Sequence, residues 1–119
     1  MRANLKRLHS PDVDDLKQFS PKNPKDFAFL LQIFVGVEGS DGEDSFDLQV
    51  CTPAWLEREC KRVGVVSGRH RLIVDCFDIN AIEMYLQDYC ENIVADDWDG
   101  IAAILGELGS WEFDGYRNL

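Results

Sequence analysis

The segment FAFLLQIFVG (27–36) is a nearly continuous run of apolar residues rich in aromatic and aliphatic side chains. Such a run, ended by Gly36, predicts a central strand with both faces at least partly covered. After the polar connection VEGSDGED (37–44), the segment SFDLQVCT (45–52) alternates apolar and polar residues with the period of a strand. The two segments are therefore predicted to form an antiparallel hairpin.

Three helices are predicted after the hairpin from their capping residues and the spacing of their apolar residues. The clearest is segment 78–94, where apolar residues recur at helical spacing. Pro53 suits the first turn of the helix before it, because its missing N–H costs nothing there. The predicted N-caps are Thr52, Asp78, and Asp96 or Asp97. The glycines predicted to end the first and third helices are Gly64 and Gly109.

Three further strands complete the predicted fold. Segment 2–9 gives a weak strand signal, RLIVDCF (71–77) a stronger one, and GSWEFDGY (109–116) forms a last strand. The predicted order is β-β-β-α-β-α-α-β, in a single domain spanning 1–119. This is an α+β fold with a mostly antiparallel sheet of about five strands and three helices packed on one face.

Strand alternation divides the sheet residues between two faces. The predicted core face carries Phe46, Leu48, Val50, Leu72, Val74, Cys76, Trp111 and Phe113. The predicted open face carries Asp47, Gln49, Arg71, Ile73, Asp75, Glu112, Asp114 and Tyr116, with Gln32 and Phe34. An acidic face with apolar points suits a protein interface, and equally an ordinary solvated sheet face.

A second candidate surface is the outer face of helix 78–94. The residues that fall together there are Glu83, Met84, Gln87, Asp88 and Glu91. Met84 is an apolar residue among carboxylates, which indicates either a small binding hot spot or the ordinary exposure of a single side chain. From the two surfaces, the predicted partner-binding residues are Asp75, Glu83, Met84, Asp88, Glu91, Glu112, Asp114 and Tyr116.

The net charge of the chain is −10 at pH 7, and it is distributed unevenly. Residues 72–116 hold eleven carboxylates and no Lys or Arg, whereas residues 1–71 hold eleven acids and eleven basic residues. A field of one sign repels nucleic acid and steers basic partners toward the protein. The alternative explanation is that the acids only keep the protein soluble.

Motifs for catalysis and metal binding are missing from the sequence. It contains no Gly-rich phosphate loop, GxSxG elbow or HExxH, and SDGEDSFD (40–47) lacks the residue order of an EF-hand. The four cysteines form no CxxC pair. No apolar run is long enough to cross a bilayer, and the N-terminus does not resemble a signal peptide. We therefore expect a cytoplasmic, non-enzymatic protein with no cofactor, metal, membrane or nucleic-acid partner.

Two motifs, separated by the strand–helix unit HRLIVDCFDINAIEMYL (70–86), carry a family resemblance. The first motif is formed by Phe46, Val50, Cys51, Thr52, Pro53, Trp55 and Leu56. The second is formed by Trp111, Glu112, Phe113 and Tyr116. Together they resemble the immunity protein 8 family of bacterial polymorphic toxin and contact-dependent growth inhibition systems.

This resemblance implies an α+β protein that binds and neutralises a toxin domain without catalysis. The toxin domain is typically the C-terminal part of a larger secreted or contact-delivered effector, and it is often a nuclease. In such systems the contact surface varies while the scaffold stays, so the motif residues indicate scaffold. Two other functions remain open on the sequence alone: a small acidic secretion chaperone or adaptor, and a hydrolase that uses carboxylates or His70.

Overall fold

The computed structural model describes residues 1–113. Its strands are β1 (Ala3–His9), β2 (Ala28–Val37), β3 (Asp44–Cys51), β4 (Arg71–Ile73) and β5 (Ser110–Trp111). Its helices are α1 (Pro53–Val63), α2 (Ile79–Glu91) and α3 (Trp98–Leu108). The predicted α+β class and the predicted order of elements are confirmed.

The sheet is built around β3, which pairs with three other strands. β2 and β3 form the predicted antiparallel hairpin, with Ala28 opposite Cys51. β1 pairs with the other edge of β2, also antiparallel, with a β-bulge between Leu5 and Arg7. β4 is parallel to the end of β3, and β5 is antiparallel to its beginning. The sheet is therefore mostly antiparallel, in the order β1-β2-β3-β4 with β5 beside β3.

The core lies between one face of this sheet and helices α2 and α3. Every second residue in most of β2 and β3 is buried, which the alternation of 45–52 predicts for β3. The other residues of β2 are mostly half-buried, as expected for a strand with both faces at least partly covered. The main buried residues of β2, β3, α2 and α3 are Phe29, Leu31, Ile33, Val35, Phe46, Leu48, Val50, Ile82, Leu86, Cys90, Ile101 and Leu105. Helix α1 contributes no buried residue. Within residues 1–113, no helix has the length and apolar character needed to span a bilayer.

The predicted helix caps are present. Side-chain oxygens of Thr52, Asp78 and Asp97 each accept a hydrogen bond from the backbone N–H three residues later, at 3.4, 3.2 and 2.8 Å. Asp97 is therefore the N-cap of α3. Gly64 ends α1 with a φ of 87°, in the left-handed region that glycine adopts without strain. Helix α2 ends at Glu91, three residues before its predicted end.

Strand β4 is shorter than the alternation of 71–77 predicts. It ends at Ile73, and the chain then turns toward the loop before β2, where the Phe77 N–H donates to the Pro24 carbonyl at 2.8 Å. Cys76, predicted on the core face of this strand, lies beyond it and is half-buried. Phe77 instead joins an aromatic cluster, with its ring centroid 4.9 Å from that of Phe19.

Strand β5 ends at Trp111, which corrects the prediction that Phe113 closes the core. The Trp111 ring stacks on Phe46 with centroids 6.4 Å apart. Phe113 lies after the strand, is 43% exposed, and packs edge-on against Trp111 at 5.6 Å. The alternation fails here because the chain enters a turn at Glu112, so Phe113 no longer follows the pleat of the sheet.

The Asp44 carboxylate ties β3 to both α3 and β5. Its Oδ2 atom accepts hydrogen bonds from the indole Nε1–H of Trp98 at 2.8 Å and of Trp111 at 3.1 Å. All three residues are half-buried. Hydrogen bonds to a charged acceptor are stronger than neutral ones, especially away from bulk water. One carboxylate at the start of β3 thus fixes the position of two indoles from separate elements.

Replacing Asp44 with Ala is expected to lower the free energy of unfolding by about 2–4 kcal/mol, because two hydrogen bonds to a charged acceptor are lost. Urea unfolding followed by tryptophan fluorescence measures this change. The matched control is Asp41→Ala, an exposed residue of the loop that precedes β3, which should change the free energy by less than about 0.5 kcal/mol. An equal loss in both variants would contradict the role of the indole bonds.

The Cys90 thiol predicts a pH dependence of stability. Burial in α2 raises its pKa from 9.0 to about 11, with a further contribution from Glu91. Between these values the unfolded chain has lost the proton and the folded chain keeps it, so stability is full below about pH 9 and falls as the pH rises toward 11. Cys90→Ala should flatten this fall in urea unfolding measured from pH 7 to 11. Parallel profiles for the two proteins would rule out this contribution.

Candidate protein-binding site

Most ion pairs join basic residues to acids of the N-terminal part. Among the pairs between described residues, five lie within 1–71, and Lys17–Glu83 at 2.8 Å is the sixth. The acidic loop between β2 and β3 is partly neutralised in this way, by Arg2, which precedes β1, and by Arg7 of β1. Most carboxylates of residues 72–113 therefore form no ion pair with a residue of the described part of the chain.

Helix α2 presents three of the predicted partner-binding residues on its outer side. Met84, Asp88 and Glu91 follow one another at spacings of four and three residues and are all exposed. Met84 is 65% exposed, which is unusual for a large apolar side chain. Glu83 points to the flank of the helix instead, where its carboxylate accepts a hydrogen bond from Lys17. The outer face of α2 is defined here as Met84, Asp88 and Glu91.

Two of these residues lie where a helix disfavours them. Asp88 and Glu91 are in the last turn of α2, beside the negative end of the helix dipole. The last turn has no basic residue, and neither acid forms an ion pair with another residue of the described part. Each charge at this position lowers the free energy of unfolding by about a few tenths of a kcal/mol, which is the usual size of the helix-dipole effect at exposed sites. A role outside folding explains the two acids better than a role in stability.

Two apolar depressions lie beside this outer face and share Tyr85, which is 52% exposed; together they are called the Tyr85 groove. One part, of about 500 Å³, lies between α2 and the segment after β4. The other, of about 510 Å³, lies between α2 and α3. Tyr85 lines both parts, and Ile73 and Val94 are exposed along them. The acids on the rim of this Tyr85 groove are Asp75, Asp78 and Asp88.

The structure changes where Asp75 is placed and adds Tyr85 to the site. The sequence put Ile73 and Asp75 on the open sheet face. Ile73 is the last residue of β4 and pairs with Cys51, whereas Asp75 lies beyond the strand, and both residues border the Tyr85 groove. Tyr85 was not among the predicted site residues. It stands next to Leu86 but outside the buried stripe of α2. The sequence signal that could have identified Tyr85 was an aromatic residue directly after Met84, the apolar residue on the outer face of the helix.

The open face of the sheet carries cations as well as acids. The Arg7 guanidinium lies 3.7 Å above the Phe34 ring, and the Arg71 Nε–H donates to the Gln49 side chain at 2.8 Å. A depression of about 440 Å³ beside β1 is lined in the same mixed way, since it contains the paired Lys17 and Glu83. Neither surface has the single sign of charge that marks the outer face of α2.

Glu112 has a structural role at the start of β3. Its N–H donates to the Ser45 carbonyl at 3.1 Å, and its carboxylate accepts from the Ser45 N–H at 2.9 Å. This side chain therefore helps to hold the end of the chain against the sheet. The predicted residues Asp114 and Tyr116 lie outside the described residues.

Three buried titratable groups are held in their protonated forms. Burial raises the pKa of the Cys51 thiol, although nearby Arg71 acts in the opposite direction. Burial likewise raises the Cys90 pKa to about 11. The Tyr89 pKa is raised by burial first and then by Glu107. All three are therefore neutral near pH 7, and no three His, Cys, Asp or Glu side chains within residues 1–113 are grouped to hold a metal ion.

Comparison with protein families identifies a match over nearly the whole chain. The model described as "Immunity protein 8" matches residues 3–116. The matched range includes every strand and helix described above, together with the outer face of α2 and the Tyr85 groove. No curated protein and no solved structure matches the chain.

Neutralising the two acids of α2, with Asp88→Asn and Glu91→Gln together, is expected to raise the free energy of unfolding by about 0.5–1 kcal/mol at low ionic strength. The gain should shrink at high salt, because exposed charges are screened. Urea unfolding at two salt concentrations measures both effects. The matched control is Glu57→Gln in α1, where the carboxylate pairs with Lys61 and no gain is expected. Lower stability in the α2 variant would show that the acids serve the fold.

Proposed function

Since the chain belongs to the immunity protein 8 family, we propose that it binds a cognate toxin domain and neutralises it by tight association. The producing cell and its siblings are thereby protected. The toxin domain is the C-terminal part of a larger secreted or contact-delivered effector. Immunity proteins are in general not enzymes, so inhibition depends on the surface that the immunity protein presents to the toxin.

The observation that carries the choice of surface is the pair Asp88 and Glu91. These exposed acids lie at the unfavourable end of α2, beside the exposed apolar side chains of Met84 and Tyr85. A protein interface combines a few buried apolar or aromatic anchors with a surrounding polar rim. The outer face of α2 and the Tyr85 groove supply both components within one area, which supports their assignment as the toxin-binding surface.

The charge of this surface indicates the class of toxin. A nuclease carries Lys and Arg around its substrate cleft, because it must bind phosphates. An acidic surface competes for the same cations and speeds association through long-range attraction. The absence of Lys and Arg from residues 72–116 extends this field over α2, α3 and their connections. We therefore propose a basic nuclease domain as the partner.

Co-expression tests the proposed function directly. The toxin domain encoded beside this chain's gene is expressed in a susceptible cell with and without the chain, and complex formation is measured with an inactivated toxin. Restored growth together with a stable complex supports immunity. Unchanged toxicity without a complex contradicts it. A complex that leaves toxin activity intact would instead identify a secretion adaptor.

Charge reversal locates the surface within that complex. Asp88→Lys with Glu91→Lys is expected to slow association at low salt by about tenfold or more, because steering by the acidic field is lost. The difference should decrease as salt rises. The matched control is Asp41→Lys with Glu57→Lys. Both residues lie outside the α2 surface, and the two substitutions change the net charge by the same amount. Surface plasmon resonance at two ionic strengths measures the rates.

Equal slowing by both pairs of substitutions would mean that only the total charge matters. A third variant, Asp114→Lys, tests a predicted acid near the end of the chain; Glu112 is left unchanged because its carboxylate accepts from the Ser45 N–H. If it weakens binding while the α2 variant does not, the toxin-binding surface is at the end of the chain rather than on α2.

A further inference from the structure

We infer that the toxin completes the sheet of this protein: an extended segment of the toxin pairs with the free edge of β4 and fills the adjoining part of the Tyr85 groove. This inference rests on the proposed function and adds the mode of binding and the residues that anchor it.

The backbone of β4 has hydrogen-bonding groups directed away from the sheet. The His70 carbonyl accepts from the Gln49 N–H, and the Val74 N–H donates to the Cys51 carbonyl, each at 2.9 Å. Backbone groups alternate in direction along a strand, so those of Arg71 and Ile73 point to the opposite side. No strand of the described residues lies beyond β4. Two N–H and two C=O groups are therefore available to an added strand.

The opposite edge of the sheet is protected against such pairing. β1 contains a bulge between Leu5 and Arg7, and the strand also contacts α2. Bulges and charged side chains are devices that prevent strand addition. β4 has no bulge in its pairing with β3, and the Arg71 guanidinium is bound by Gln49 and by the Ser67 carbonyl. The β4 edge is thus the more accessible of the two.

Exposed apolar side chains flank the free edge. Ile73 and Tyr85 are each 52% exposed and line the same depression between β4 and α2. In strand addition, backbone hydrogen bonds contribute affinity, and pockets for alternate side chains contribute specificity. A depression of about 500 Å³ accommodates an aromatic or branched side chain from the added strand.

The acidic residues around the depression indicate that the partner segment is basic. Asp75 and Asp78 line it together with Ile73 and Tyr85, and Lys and Arg are missing from residues 72–116. Arg71 at the strand itself already has acceptors for its guanidinium. The partner segment is therefore extended and short, with one apolar residue for the depression and Lys or Arg beside it.

Amide hydrogen exchange tests this mode of binding. The ¹⁵N-labelled chain is measured by NMR alone and with a stoichiometric amount of the inactivated toxin domain encoded beside this chain's gene. Strand addition is expected to slow exchange of the Arg71 and Ile73 amides by about tenfold or more, because these N–H groups gain acceptors. A complex in which both amides exchange as in the free protein overturns the inference while leaving the proposed function intact.

Two substitutions test the same edge by affinity. Ile73→Pro removes an outward N–H without removing a bond to β3 and is expected to weaken toxin binding by about tenfold. The matched control Ile73→Val keeps the N–H and should stay within about twofold. Thermal unfolding of each variant shows whether the fold is retained.

Tyr85→Ala provides a second test that leaves the backbone unchanged. Loss of a central aromatic anchor is expected to weaken binding by about 30-fold. If binding is unaffected by both Tyr85→Ala and a folded Ile73→Pro variant, the groove and the edge are not the docking site. If the wild-type chain itself forms no complex, the proposed function fails and the inference fails with it.

Discussion

The hydrogen bonds between one carboxylate and two indoles hold the scaffold of this protein together at a single point. Asp44 begins β3 and binds Trp98 of α3 and Trp111 of β5, so the third helix and the last strand are fixed relative to the central strand. At the other end of β3, the Thr52 hydroxyl accepts the Phe27 N–H at 3.2 Å and caps α1. Both ends of the central strand are thereby anchored by side chains.

This concentration of contacts on β3 separates the scaffold from the proposed binding surface on α2. The family motif residues within 1–113 lie on β3, at the start of α1 and around β5, and most of them are buried, half-buried or hydrogen-bonded to the sheet. The acids of α2 lie on the other side of the helix from the core. Their substitution changes the surface without disturbing the core, which suits a family whose members meet different toxins. The unfavourable position of Asp88 and Glu91 is consistent with a surface retained for binding rather than stability.

Local signals in the sequence were sufficient for the order of elements and for their caps. The local signals are the apolar run 27–36, the alternation of 45–52 and the capping residues Thr52, Asp78, and Asp96 or Asp97. They act through neighbours within a few positions, so they can be recognised without the fold, although the choice of Asp97 required the structure. The position of Phe113 depends on a turn after β5, and alternation alone cannot predict where a strand stops pairing.

The geometry of the proposed binding surface could be predicted only in part for the same reason. Helical spacing places Met84, Asp88 and Glu91 on one face, and the structure agrees. Glu83 is withdrawn by Lys17, which is distant in sequence. The Tyr85 groove requires β4 to end at Ile73 beside α2, a relation between elements that no local pattern contains. The periodicity of side chains predicts which residues share one face of a helix or strand. A groove depends on how two or more helices and strands pack against each other.

The most direct test of the account is the structure of the complex between this chain and its inactivated toxin domain. We expect Met84, Tyr85 and Asp88 to become buried in an interface of at least about 1,000 Å², with Lys or Arg of the toxin beside the acids. A complex in which these three residues stay exposed, with the toxin seated on the open sheet face or beside β1, would contradict the assignment of α2 as the toxin-binding surface.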